Sequence, residues 1–284
     1  MEDLLNNQLV QQLIDISFAE DIGEGDHTSL ATINADENGK SIIVAKDNGI
    51  IAGLLLVEYI FKKVDANLVV RLLKKDGDAV SYGDVVLEVT GSSRSMLTAE
   101  RTVLNFIQRL SGVASLTSKY VAELNGLHTQ ILDTRKTTPG MRLLEKYAVK
   151  VGGGANHRIG LYDMILIKDN HVDFSGGIAN AIARTQKYLQ DNNLNLKIEI
   201  ETRSLEEVKQ VLDIGGVHRI MLDNFSPDLL REAVKLIDGK YETEASGGIT
   251  LQTLRSYAET GVDFISSGAL THSVKAMDLS MRAV

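Results

Sequence analysis

TQILDT (129–134), AVKVGG (148–153), DMILIK (163–168), KIEIE (197–201), HRIMLD (218–223), YETEAS (241–246) and DFISSG (263–268) are short apolar runs separated by segments with helical spacing. Strands alternating with helices build parallel βαβ units. About seven such strands without a dinucleotide fingerprint suit an α/β barrel better than a doubly wound sheet.

Upstream the pattern is different. Residues 4–20 carry Leu5, Leu9, Leu13, Ile14 and Ile16 at helical spacing, and EDIGEGDHTS (20–29) breaks it with glycines. SIIVAKDNGIIAGL (41–54), ANLVVRLLKKDGDAV (66–80) and GDVVLEVTGS (83–92) are β-branched, alternate in places and contain Asp-Gly turns, which predicts antiparallel strands. AERTVLNFIQRLSGVASLTSKYVAEL (99–124) predicts one or two helices with a stripe through Val103, Phe106, Ile107 and Leu110, and a bend at Gly112. The apolar tail MDLSMRAV (277–284) is expected to return as a strand against the N-terminal domain. The resulting division is 1–111, 112–270 and 271–284.

Composition limits the chemistry. The 284 residues include no cysteine, so disulfides, thiolate metal sites and a cysteine nucleophile are excluded. The amides and acids of MEDLLNNQLVQQLIDISFAEDIGEGD do not form a signal peptide, and a cytoplasmic protein is expected. A formal net charge of −8 argues against a broad nucleic-acid or membrane surface, so a local cationic pocket would be informative.

In a parallel barrel the active site lies at the C-terminal ends of the strands. The runs here close on Thr134 with Arg135 and Lys136, on Lys168, on Glu201, on Asp223, on Ser246 and on Ser267. One such charge is usually a solvated loop; a ring of them is harder to dismiss. Arg135, Lys136, His157, Arg158 and Lys168 would form a dense cationic patch, unfavourable unless a ligand with several negative charges fills it. Glu201 and Asp223 could serve as acid and base, hold Mg2+, or bond ribose hydroxyls. SGGI (246–249), before the expected helix TLQTLRSYAET (250–260), and SSGAL (266–270) make a plausible phosphate cup of Ser246, Gly247, Gly248, Ser267, Gly268 and Ala269. His27 and His128 are expected at the surface. His171 has either a supporting or a capping role, and Met141 and Met164 read as packing.

LDTRKTTPGMRLLEKYAVKVGGGANHRIGLYDMILIKDNH (132–171) resembles the most distinctive block of the quinolinate phosphoribosyltransferase family. EDIGEGDHTS, AERTVLNFIQRLSG, the strand ending in Glu201, IMLDN, EASGGI and FISSGALTHS follow in the family's order, so the resemblance covers nearly the whole chain. It implies an N-terminal α/β sandwich beside an incomplete TIM-like barrel, assembled as homodimers or hexamers with shared sites. It further implies transfer of the phosphoribosyl group of phosphoribosyl pyrophosphate (PRPP) to quinolinate with loss of CO2, a step of NAD biosynthesis. On that resemblance Arg101 reaches a neighbouring subunit's site, and Thr134, Arg135, Lys136, His157, Arg158 and Lys168 bind anions. Glu201 and Asp223 lie near the ribose and Mg2+, the serine–glycine segments hold the 5-phosphate, and Lys136 or Lys168 assists decarboxylation. The rival readings are a molybdenum-associated paralogue and a non-catalytic PRPP or phosphate sensor.

Overall fold

The structure, a computed structural model, describes residues 4–284. In chain order the elements are α1 (Gln8–Ile22), α2 (His27–Thr32), β1 (Asn38–Ala45), β2 (Gly49–Ile50), α3 (Leu54–Val64), β3 (Val69–Leu72), β4 (Ala79–Val80), β5 (Val85–Ser92) and α4 (Ser93–Glu123). There follow β6 (Gln130–Leu132), α5 (Arg142–Val151), β7 (Ile165–Ile167), α6 (Asp169–Ser175), α7 (Ile178–Asp191), β8 (Ile198–Thr202) and α8 (Leu205–Ile214). The chain closes with β9 (Arg219–Asp223), α9 (Pro227–Ile237), β10 (Glu242–Ser246), α10 (Leu254–Ala258), β11 (Phe264–Ser266), α11 (Ala269–His272) and β12 (Leu279–Ala283). Two compact units result: residues up to Ser118 with 137–153 and 270–284, and residues 119–136 with 154–269.

The first unit holds an antiparallel sheet in the order β12-β1-β5-β3 and a small β2-β4 pair. The tail lies on β1, with Ile43 opposite Met281. Its core takes Ile43 and Val44 from β1, Leu87 and Val89 from β5, and Leu56, Ile60 and Phe61 from α3. α1 starts at Gln8, where the Asn7 side chain accepts from the Leu9 amide, and buries only Val10 and Ile14. EDIGEGDHTS supplies the next cap: Asp26 accepts from Ser29 N at 3.0 Å and from Ser29 Oγ at 2.5 Å. These bonds hold its carboxyl below the usual range.

α4 is continuous over 31 residues, so Gly112 does not bend it. The glycine serves a close approach instead: a Cβ built at residue 112 would overlap the carbonyl oxygen of Lys275. Among the described residues no helix is long and apolar enough to cross a membrane.

AVKVGG is not a strand. Residues 142–151 form α5, because Leu144 with Ala148 and Glu145 with Val149 recur at i,i+4 and are buried together. Two elements of the first unit are joined at Glu145, which is fully buried. It accepts from Arg109 Nη2 at 2.7 Å, from Thr138 Oγ1 at 2.7 Å and from Thr138 N at 3.1 Å.

The second unit is an α/β barrel left open. Its six parallel strands run β6-β11-β10-β9-β8-β7, so the first strand pairs with the last as barrel closure requires. The break falls between β6 and β7, where the chain contributes a single bridge, Ala155 to Leu132. That bridge stands where a seventh strand is expected. Ile200, Ile220, Leu222, Ala245 and Ile265 are buried at 0–1% exposure, as parallel strands covered by helices should be.

Candidate active site

Because the six strands are parallel, their C-terminal ends emerge on one side of the second unit. Sheet order therefore arranges Thr134–Lys136 after β6, Ser267–Ala269 after β11, Ser246–Gly248 at β10, Asp223 at β9, Glu201 on β8 and Lys168 after β7. Glu201 is 7% exposed, and Lys168 Nζ lies 3.2 Å from its Oε2. Glu201 is level with Met221, so Asp223 lies two residues further out on the same face.

Asp223 is held from behind. Asn224, in the left-handed region at φ 57, donates from Nδ2 to Asp223 Oδ2 at 2.6 Å and from its backbone N–H to Ser246 O at 2.8 Å. Gly247, at φ +97, leaves room for that amide; a Cβ there would overlap Asn224 Oδ1. The second glycine turn is anchored where Ser267 N–H donates to Leu132 O at 3.0 Å.

Cations gather at the open edge. Arg158 is half-buried, and its Nη1 donates to Met164 O at 3.1 Å. Burial first, and then the Arg135 guanidinium, lower its pKa, while Glu199 and Asp163 oppose the change. Two guanidiniums in mutual repulsion favour an anion between them. The loop after Arg158 is stapled by Asp163, which accepts from the Ile159 and Gly160 amides at 2.8 Å. Lys136 is exposed, and its amide donates to Thr134 Oγ1 at 3.1 Å.

His157 departs from the expectation of a cation facing an anion. Its side chain is 6% exposed, and Nε2 lies 2.9 Å from Glu199 Oε2 and 3.4 Å from Glu244 Oε2. Its Nδ1 accepts from the Arg158 amide at 2.7 Å, and its own amide donates to the buried Asp133 at 2.9 Å. Arg219 joins the cluster, with Nη1 3.0 Å from Glu244 Oε2, Nη2 3.0 Å from Glu242 Oε2 and the guanidinium 4.0 Å from the Phe264 ring centroid. Burial pushes the Glu199 carboxyl up to about 7 against the pull of Arg219. Burial, with the charge of Glu199, pushes Glu244 up to about 7 as well.

These groups bear on where a cation could sit. His157, Glu199 and Glu244 offer ligand atoms within 4.8 Å of one another. Arg219 already supplies positive charge there, and the imidazole edge facing Glu199 is the one left to carry a proton. Glu201 and Asp223, hard oxygen donors at neighbouring strand ends, fit Mg2+ better, because that ion keeps several waters and needs few protein ligands.

Neither serine–glycine turn leads directly into a long helix. α10 begins at Leu254 rather than residue 250 and has 5 residues, and α11 has 4, so neither offers a developed dipole. His171 takes the capping role: its Nδ1 accepts from the Lys168 amide at 2.9 Å at the start of α6. His27 and His128 are exposed. Arg101 belongs to the first unit and is exposed on α4.

A family model described as quinolinate phosphoribosyl transferase, C-terminal domain, matches residues 113–282, and the corresponding N-terminal domain model matches residues 26–111. The chain belongs to the quinolinate phosphoribosyltransferase family. It is 47% identical over 288 residues, 96% of this chain and 82% of the relative, to the chloroplastic carboxylating nicotinate-nucleotide pyrophosphorylase of Arabidopsis thaliana. With a probable nicotinate-nucleotide pyrophosphorylase of Bacillus subtilis it shares 45% identity over 98% of this chain and 94% of that one. The solved nicotinate-nucleotide pyrophosphorylase from Francisella tularensis superposes with a TM-score of 0.90 at 40% identity, covering 97% and 96% of the two chains.

Family boundaries and compact units are not the same division. The C-terminal family region takes in residues 137–153 and 270–282, which pack with the first unit. Sequence reasoning found the strand-end residues of this family member but missed Asp133, Glu199, Arg219, Glu244 and Asn224. A signal was present for the three in strands: KIEIE, HRIMLD and YETEAS place Glu199, Arg219 and Glu244 at the same alternation as Glu201, Asp223 and Ser246.

Proposed function

We infer that this chain transfers the phosphoribosyl group of PRPP to quinolinate with decarboxylation, giving nicotinate mononucleotide, pyrophosphate and CO2 in NAD biosynthesis. The observation that carries this reading is the ring of charged and serine–glycine groups at the strand ends of the second unit, where Lys168 Nζ lies 3.2 Å from Glu201 Oε2 and the half-buried Arg158 carries the like charge of Arg135. A dicarboxylate and a pyrophosphate ester bring the charges that such a face lacks.

The chemistry follows from placement. Arg135 and Arg158 hold the adjacent carboxylates of quinolinate, which aims the pyridine nitrogen at the anomeric carbon of PRPP. The serine–glycine turns at 246–248 and 267–269 hold the 5-phosphate through backbone N–H groups. Loss of pyrophosphate develops positive charge on the ribose, and Glu201 and Asp223 face it. Mg2+, held by Glu201 and Asp223 directly or through water, would neutralise the leaving pyrophosphate. The new bond between nitrogen and the anomeric carbon makes the ring a pyridinium. The electron pair released when the carbon–carboxylate bond breaks stays on the ring carbon as a carbanion, which the adjacent cationic nitrogen stabilises. CO2 departs, and the ring carbon takes a proton from Lys168 or Lys136.

Homodimers or hexamers with shared sites belong to the same proposal, with Arg101 of one subunit completing the site of another. A cytoplasmic setting belongs to it as well; the Arabidopsis relative is chloroplastic, and cell fractionation checks the point. The shared-site reading is tested by mixing Arg101→Ala with Arg158→Ala, each inactive alone. Turnover should return in the mixture toward about a quarter of the wild-type level in a dimer, as random exchange restores one intact site in half of the molecules. Its absence after demonstrated subunit exchange would contradict the shared site.

A further inference from the structure

Beneath the strand ends lies a buried chain of charged groups with no place in the chemistry described above. Glu199 and Arg219 face each other across β8 and β9, one inward step below Glu201, and Glu244 is level with Met221 on β10. Glu199 and Glu244 are fully buried, so they meet no substrate at the rim.

The link to the rim is His157. A backbone amide keeps its proton, so the 2.7 Å bond from Arg158 N–H requires an unprotonated Nδ1. The ring proton is then on Nε2, which faces Glu199 Oε2 across 2.9 Å. The ring is bonded at its Nδ1 edge and held by charge at its Nε2 edge, and the backbone behind it is fixed by Asp133. Glu244, the second carboxylate facing Nε2, is held by Arg219, which is itself stacked on Phe264. Glu199 also acts on Arg158 through its charge.

We propose that Glu199, Glu244 and Arg219 are positioning residues that lock His157 as the neutral Nε2–H tautomer and, through its bond to the Arg158 amide, set the place of the Arg158 guanidinium. The inference rests on the reading of Arg158 as a ligand of the quinolinate carboxylates. A purely structural ion cluster would keep the fold without favouring either substrate. A positioning chain affects the substrate that Arg158 holds and spares PRPP.

The test compares Glu199→Ala and Glu199→Gln in the full-length protein by steady-state kinetics, thermal unfolding and nitrogen NMR of the histidine rings. His157 is assigned by the signals lost in His157→Gln. The expected wild-type ring has a bare Nδ1 and a protonated Nε2. In Glu199→Ala the quinolinate KM should rise about tenfold with the PRPP KM within about twofold, while Glu199→Gln, whose amide oxygen keeps an acceptor facing Nε2–H, recovers most of the loss. Equal rises in both KM values, Ala and Gln variants that behave alike, or a ring proton on Nδ1 would each overturn the proposal. If the wild type fails to use quinolinate, the functional reading falls, yet the ring signals still judge the positioning chain. A bare Nδ1 whose signals alter in Glu199→Ala and persist in Glu199→Gln upholds it, and a protonated Nδ1 ends it.

Discussion

Arg158→Ala is expected to lower kcat/KM for quinolinate by about a thousandfold while the PRPP KM moves little. A half-buried guanidinium can bond a carboxylate through two parallel N–H groups, and losing such a charge-assisted pair is worth about 4 kcal/mol, or roughly three powers of ten in rate. Arg135 remains in the variant, but one cation cannot fix the orientation of two adjacent carboxylates. Arg158→Lys should restore little, because an ammonium offers no planar fork. Since Arg135 depresses the pKa of Arg158, a dianionic ligand should relieve their repulsion and raise the melting temperature of the wild type more than that of Arg158→Ala. Kinetics in both substrates, with ligand-dependent melting, check the pair of statements. A loss shared equally between quinolinate and PRPP would remove Arg158 from the dicarboxylate site.

The second large effect is on stability. Arg219 is 12% exposed and is the guanidinium paired to Glu244. Arg219→Ala strands a buried carboxylate and should cost about 3–5 kcal/mol, read as a fall of about 10 °C in melting temperature. The loss should depend on pH in a definite direction. Glu199 and Glu244 are raised to about 7 in the folded protein from the ordinary carboxyl value of 4.5. A raised carboxyl keeps its proton folded where the unfolded chain has released it. Its contribution is therefore fully present below about pH 4.5 and is lost as pH rises through about 7. For one such group acting alone the span is about 3 kcal/mol. Arg219 lowers both carboxyls, so its removal should push them higher and steepen the decline between pH 5 and 8. Glu244→Gln in the Arg219→Ala background should flatten it. Denaturant melts across that range decide; parallel curves for wild type and Arg219→Ala would refute the assignment.

Much of this was legible in the sequence, for identifiable reasons. Parallel strands covered on both faces must be apolar, so a run such as IMLD ends visibly on the residue that leaves the core, and Asp223 could be read directly. The same rule misled at AVKVGG, whose apolar residues belong to a helical repeat that begins upstream at Leu144. Gly112 was expected to bend a helix, but the reason for a glycine there lies in a segment more than 160 residues further on, and no local pattern carries that. Glu199, Arg219 and Glu244 were passed over because a charge inside a strand reads as solvent-facing until neighbouring strands supply opposite charges. The strand pairing that aligns Glu199 with Arg219 is a tertiary fact. His157 shows the limit most plainly: beside Arg158 in sequence it resembles one more cation, whereas its ring turns inward to two carboxylates.

The central claim is that the strand-end face of the second unit joins a pyridine dicarboxylate to PRPP and releases CO2. Its most direct test is turnover of the purified full-length protein with quinolinate, PRPP and Mg2+, following pyrophosphate, CO2 and nicotinate mononucleotide together, with nicotinate as the parallel substrate. The account predicts equal amounts of all three products from quinolinate and none of the mononucleotide from nicotinate, which lacks the second carboxylate. PRPP bound without turnover of quinolinate, or nicotinate used equally well, would contradict it.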